Sequence, residues 1–396
     1  METSARKQFN EQFSTKKYQK MLQSIEDDFG YFPTFRIAES PLFVSDAFKA
    51  QLLEACAEVI SFIQQPGFKE LTQKALELNK NIPKEDEHPE FLAIDFGVCE
   101  ENGEIIPKLI EVQGFPSLFH FQANLFEKFK VEYPFLKSYS PYLSGLNKES
   151  YLALLQKIIL NNHLPENVIL LEVEPEKQNT KIDFYYASKT LGIPILCVTD
   201  IFPIGNKLFY KNESGDDIPI HRIYNRVIFD ELDMRTDLNL KFDFTKVWEV
   251  EWAGHPNWFF RISKFILPYL QGKYFIETTL LSELKVIPED LENYVLKPIF
   301  SFSGSGVVFH VKKEDIEAVQ QKDLYVLQKK VFYKPIVQST NGLVKAEIRM
   351  LCLWPKEDAQ PTIANTLVRF SRGEMIGVKF NKDKDWVGGT TGVFKL

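Results

Sequence analysis

The chain has 396 residues, 44% of them apolar and 26% charged, with a formal net charge of -7. That is more chain than one hydrophobic core organises, so two or three packed modules are expected, and 19 glycines and 21 prolines exclude a collagen-like or disordered polymer. The acidic balance argues against a broad nucleic-acid surface but leaves room for a local basic pocket that takes one nucleotide.

In chain order, residues 1–80 read as a helical N-terminal region, because apolar residues recur three and four apart over 45–60 and again over 68–78. The polar run 81–89 breaks that pattern. Two apolar runs follow, 91–99 and 105–112, and Asn102-Gly103 between them is a hairpin signal. After a helical stretch over 121–129, a new module begins near residue 150. Helix 151–160, strand 168–173, helix 182–191 and strand 193–200 alternate, which predicts a small open α/β sheet ending at 218–229. A loop-rich stretch over 270–287 leads into strand 294–300, the run SFSGSG over 301–306, and strand 307–311. Strand, Gly/Ser turn and strand make a flap. A P-loop or Rossmann site needs its glycines ahead of a helix, and neither GxxxxGK[ST] nor GxGxxG occurs. Strands 323–331 and 346–354, a hairpin over 365–381 and the run 386–392 complete the chain.

Cys56, Cys99, Cys197 and Cys352 show no CxxC and no paired histidine spacing, so they read as reduced core thiols of a cytoplasmic protein. No run of about 18 apolar residues occurs, which disfavours membrane spanning.

Three groups of residues could carry chemistry. Lys297 enters the Gly/Ser flap, whose backbone N–H groups at Ser303, Gly304, Ser305 and Gly306 can close over phosphates; taken alone, the segment also reads as a surface hairpin. Strand 323–331 turns polar at Gln328, which suits an adenine slot, with Gln328 and the backbone of Lys329 to Val331 meeting the polar edge of the ring; an edge strand is the plain alternative. Lys264 is placed on a helix 33 residues before Lys297, where a solvated charge is the ordinary reading. In the Asn-Gly hairpin, Glu111 and Gln113 are two apart and share a face, and Asp95 can meet them from the other strand. Three oxygen donors on one face suit Mg2+, and isolated acids in such apolar surroundings are costly to bury. Near the C-terminus, Arg369 could stabilise charge on a transferring group, while Glu347 and Arg349 read as an ion pair with each other.

Taken in order, these residues resemble the ATP-grasp superfamily, and specifically its circularly permuted glutathionylspermidine synthase-like branch, without the amidase domain. Asp95 and Glu111-Val-Gln113 match the Asp and Glu-x-Asn metal motif; Lys297-Pro298 with its glycine loop matches the Lys-Pro strand; Leu327-Gln328 matches the hinge, and Arg369-Phe-Ser371 the late Arg-x-Ser. Two positions depart from the pattern: Gln113 stands for Asn, and Ala93 for an arginine two residues before the metal Asp. The resemblance implies a mixed α+β and α/β chain with an ATP-grasp fold. Residues 1–80 would be the helical region, 81–149 the metal-binding hairpin segment of the core, 150–245 a Rossmann-like pre-ATP-grasp α/β subdomain, and 246–396 the nucleotide-binding region. It further implies an ATP- and Mg2+-dependent carboxylate–amine ligase working through an acyl phosphate. Lys264, Lys297 and the flap would hold the triphosphate, Arg369 would be catalytic, and Ser117, Arg226 and the segment 388–392 would bind the acceptor. The partners would be a small-molecule acid and amine, with neither nucleic acid nor membrane. Ala93 and Gln113 favour the alternative of a degenerate, non-catalytic ATP-binding protein; a scaffold without nucleotide is the third reading.

Overall fold

The computed structural model describes residues 1–301, 305–373, 376, 381 and 383–396. Its centre is an antiparallel sheet in the order Gly388–Thr390, Thr362–Ser371, Gly342–Leu353, Phe91–Glu101, Glu104–Gln113, with Val337–Ser339 also paired to Gly342–Leu353. The expected hairpin forms its right-hand pair, closed by Asn102 and Gly103 at φ of 52° and 82°. Both values are positive, as the tight two-residue hairpin turn demands.

Alternation along the strands divides the two faces by chemistry. Leu92, Ile94, Phe96 and Val98, with Ile348, Met350 and Cys352, enter the main apolar core, which also takes Leu52, Cys56 and Val59 of helix Asp46–Ile63. On the opposite face, Phe91, Ala93, Leu351 and Leu353 join a second core with helix Lys148–Leu160 and the parallel module. Further along this second face the residues become charged.

The predicted α/β module is a four-stranded parallel sheet in the order Glu251–Ala253, Arg222–Asn225, Val168–Glu172, Ile195–Cys197. It reaches past residue 245, because Glu251–Ala253 supplies its edge strand. A third sheet, Thr278–Leu280, Tyr325–Lys329, Tyr294–Pro298, is antiparallel and has a small core of its own built on Leu281, Leu296, Ile316 and Leu327. The strand expected over 307–311 is reduced to one bridge, Leu296 to Val308. Of the C-terminal hairpin, the outgoing strand Thr362–Ser371 is seen, and most of the return lies outside the described residues. Among the described residues no helix is long and apolar enough to cross a membrane.

Arg222 joins two of these modules. Fully buried, its guanidinium donates to Glu90 at 2.5 Å, to Glu251 at 2.8 Å and to the carbonyls of Ile158 and Ile159 at 2.9 and 3.1 Å. Glu90 precedes the first central strand, and burial pushes its carboxyl up to about 7 even with Arg222 opposing. Arg222→Ala would strand that acid, so urea denaturation should show a loss of about 3–5 kcal/mol, the usual result of removing one partner of a buried pair.

Candidate functional site

Strand register, not sequence spacing, assembles the charged face. Leu367, Arg349, Asp95 and Glu111 lie opposite one another across four strands, and Arg369, Glu347 and Gly97 form the next row. Directly opposed residues point to the same side, so Asp95, Glu111, Glu347, Arg349 and Arg369 share one surface. A bulge between Asp95 and Phe96 sits at the middle of this group, where bulges commonly re-aim side chains.

Asp95 is 1% exposed. Its Oδ1 accepts from Arg349 Nε at 2.6 Å, and its Oδ2 from Arg349 Nη2 and Arg369 Nη2, both at 2.7 Å. Arg369 Nη2 also donates to Glu347, whose other oxygen accepts from the Tyr333 hydroxyl at 2.6 Å. Burial raises the Glu347 carboxyl above its usual range, against the pull of Arg369. Burial likewise works against charge on Arg369, yet Glu347, Asp95 and Glu111 hold it above its ordinary value. The sequence-based pairing of Arg349 with Glu347 is therefore wrong in its partners. The two stand side by side on one strand and each reaches across to a neighbouring strand.

Glu111 has its own cation. Lys264 Nζ donates to Glu111 Oε1 at 3.0 Å and to the Ser301 carbonyl at 2.8 Å, from the first residue of the short 3-10 turn Lys264–Tyr269. Burial disfavours the Glu111 carboxylate, but Lys264, the Gln113 amide and Arg349 outweigh it and bring it down to about 2.

Opposite this face stands the third sheet, where Lys297, Gln328 and Thr278 share a side. Lys297 Nζ donates to Gln328 Oε1 at 2.6 Å, and Gln328 Nε2 donates to Thr278 Oγ1 at 3.0 Å. Gln328 is thus buried as a brace for Lys297 and does not present its side chain to a ring edge as expected. The N–H of Lys329 is taken by the Glu277 carbonyl and that of Lys330 by Asn293. Of the three hinge amides expected to meet a ligand, Val331 alone makes no backbone hydrogen bond among the described residues. Burial, then the neighbouring Lys264, push Lys297 down to about 8, partly offset by Glu111 and Glu347.

Of the expected loop, Ser305 and Gly306 are exposed, while Ser303 and Gly304 lie outside the described residues. Ser117 is buried in the loop after Gln113. Arg226 is held by Asp183 at 2.7 Å, with its guanidinium over the Phe115 and Phe184 rings. Ala93 packs in the apolar half of the face. The segment 388–392 is tied down rather than open: Gly389 N donates to the Arg36 carbonyl at 2.8 Å, and a Cβ on Gly388 would lie 2.3 Å from that oxygen.

The sequence pattern implies a Mg2+ ion on Asp95, Glu111 and Gln113. The three do not fit one as a set. Both oxygens of Asp95 are committed to guanidinium groups, and the Glu111 carboxylate is committed to Lys264 and the Gln113 amide. Gln113 Oε1, buried without a partner, and Glu111, whose side chain is 20% exposed, still offer oxygens, but a hard divalent ion needs several more than these two residues supply. Among the described residues no group of three His, Cys, Asp or Glu side chains is placed to hold a metal.

Two features escaped the sequence reading. Tyr333 reaches Glu347 because position 97 is glycine: a Cβ there would stand 2.9 Å from Tyr333 Cε1. Arg349 was misread for want of the register. Gly97→Ala should push the ring away, release Glu347 and destabilise the fold by about 1–3 kcal/mol, the usual cost of overpacking. Tyr333→Phe should cost less, and thermal melting of the two variants gives the comparison.

No protein-family model and no curated protein matches this chain. Among solved structures, it is similar to a glutathione synthetase-like effector, GSS30, from Globodera pallida in its apo form. The TM-score is 0.54 at 12% identity, and the match covers 96% of each chain. The likeness extends over essentially the whole chain and fits an ATP-grasp-type fold.

Proposed function

We propose that the chain is an ATP-dependent carboxylate–amine ligase of ATP-grasp type. The observation that carries the reading is the state of Lys297. Among the described residues it forms no ion pair, its partner is the neutral amide oxygen of Gln328, and it stands close enough to Lys264 for that ammonium to disfavour its charge. Two ammonium groups brought together, with only one of them matched by a carboxylate, call for an anion. A triphosphate held by Lys264 and Lys297 supplies it. The glutathione synthetase-like fold supports the same reading.

In the proposed reaction the terminal phosphoryl group passes from ATP to a substrate carboxylate, giving ADP and an acyl phosphate. An amine then attacks the acyl carbon, phosphate leaves and the amine proton is lost. Lys264 and Lys297 orient and neutralise the phosphates, and Arg369, whose side chain is 37% exposed, faces the transferring group. Such a reaction depends on positioning and charge stabilisation more than on covalent participation of the protein. The acceptor would lie toward Ser117 and Arg226, beyond the end of the Glu104–Gln113 strand. We assign the reaction to the cytoplasm, where ATP is supplied and the four cysteines, all free, stay reduced.

A second reading, nucleotide binding without turnover, is favoured by the arginines on Asp95. Release of ADP that requires both an acid and an amine establishes the ligase; tight ATP binding with no turnover across a broad acid and amine panel establishes the second reading.

Lys297→Ala should weaken ATP binding at least about tenfold by calorimetry, a loss of 1.4 kcal/mol or more, with the circular dichroism spectrum retained. Unchanged affinity would refute the assignment. The pH dependence follows from the same group. Lys297 is a cation below about 8 and neutral above it, so affinity should fall as pH rises through that value, or somewhat higher once phosphate stabilises the charge. Lys297→Arg should flatten the profile, because a guanidinium keeps its proton.

A further inference from the structure

We infer that this site takes its nucleotide without a divalent ion at Asp95, and that the guanidinium groups of Arg349 and Arg369 stand where such an ion would neutralise charge. The inference rests on the nucleotide reading above. Among the described residues, the sheet face and the two lysines bring together three acids and four cations, with Asp230 also within electrostatic reach of Lys264; the three acids are matched, Asp95 by Arg349 and Arg369, Glu347 by Arg369 and the Tyr333 hydroxyl, Glu111 by Lys264. Lys297 is the cation left over. Over the sheet face and the two lysines the residual charge is therefore positive before any ligand arrives, and a metal ion entering beside Asp95 would first have to displace three charge-assisted hydrogen bonds at 2.6, 2.7 and 2.7 Å.

The pairing is also a built feature of the sheet. Arg349 and Asp95 are directly opposed in register, the carboxylate is 1% exposed and the guanidinium side chain 7%, and the contact is the bidentate fork that suits arginine and not lysine. Arg369 is different. Both of its ion pairs run through Nη2, and among the described residues Nη1 and Nε form no hydrogen bond. With part of its side chain in solvent, it can present those donors to a phosphate oxygen while Nη2 stays anchored. Asp95 is accordingly a positioning residue, which acts on the ligand through the two arginines.

The test compares ATP affinity by calorimetry on the wild-type chain in EDTA and in excess Mg2+. A ratio below about fivefold, roughly 1 kcal/mol, is the expected result. A larger gain with Mg2+ overturns the inference while leaving the nucleotide reading in place, and failure to bind ATP under either condition overturns both. Asp95→Asn separates the two roles of the carboxylate. If Asp95 only positions arginines, Asp95→Asn shifts ATP affinity by the same factor in EDTA and in Mg2+. A metal ligand predicts a loss confined to the Mg2+ measurement. The wild-type comparison needs no variant and decides the matter if Asp95→Asn does not fold.

Discussion

The burial of Asp95 is the constraint on which the rest of the site depends. A carboxylate at 1% exposure in the middle of a sheet is tolerable only with its charge met and its oxygens bonded. Arg349 does most of this from the facing position, and Arg369 completes it from one strand further away. Once the arginines are fixed, the neighbours follow. Glu347 balances the second cation, Tyr333 satisfies the oxygen of Glu347 that Arg369 leaves, and residue 97 must be glycine for the ring to reach it. A single buried acid thus sets the identity of side chains on four different segments.

The same face of the central sheet performs two jobs along its length. Its apolar end, at Phe91, Ala93, Leu351 and Leu353, packs against the helix before the parallel sheet. Its charged end looks toward Lys264 and the small sheet with Lys297. Arg222 and Glu90 sit at the root of the apolar end and hold the parallel module to the first central strand. Both junctions use arginine and carboxylate in low exposure, where an unmatched partner is expensive, so the modules are held by directional contacts as well as by apolar area.

What the sequence revealed depended on whether the signal was local. The hairpin over residues 91–113 was legible from alternation and from Asn102-Gly103, and the helices at 46–63 and 181–191 from their period. Lys297, on a strand leading into small residues, was also visible. The partners of Asp95 were not, since Arg349 and Arg369 lie 254 and 274 residues away. Glu347 and Arg349 read as an ion pair because they stand two apart on one strand, but in a sheet the nearest opposite charge is across the strands, and only the register says which residue that is. Gln328 failed for a related reason. Alternation gave its side of the strand without giving what occupied the space beyond it, which was the ammonium of Lys297.

A fold shared at 12% identity fixes where strands cross and leaves the chemistry of the crossing open. In this chain the position that a metal-dependent site would keep as an open carboxylate is closed by fixed guanidinium charge. The difference has a physical consequence for control. A metal ion is exchangeable, so a site built on one responds to cation supply and to chelation. Charges carried on arginine and lysine are covalently fixed, and they respond instead to ionic strength and to titration of the weakest base among them. Lys297, held down to about 8 by burial and by Lys264, is that base. On the proposal that arginines take the place of an ion, the sensitivity of the site moves from metal concentration to proton concentration, and the residue that reports it lies on the small sheet and not at Asp95.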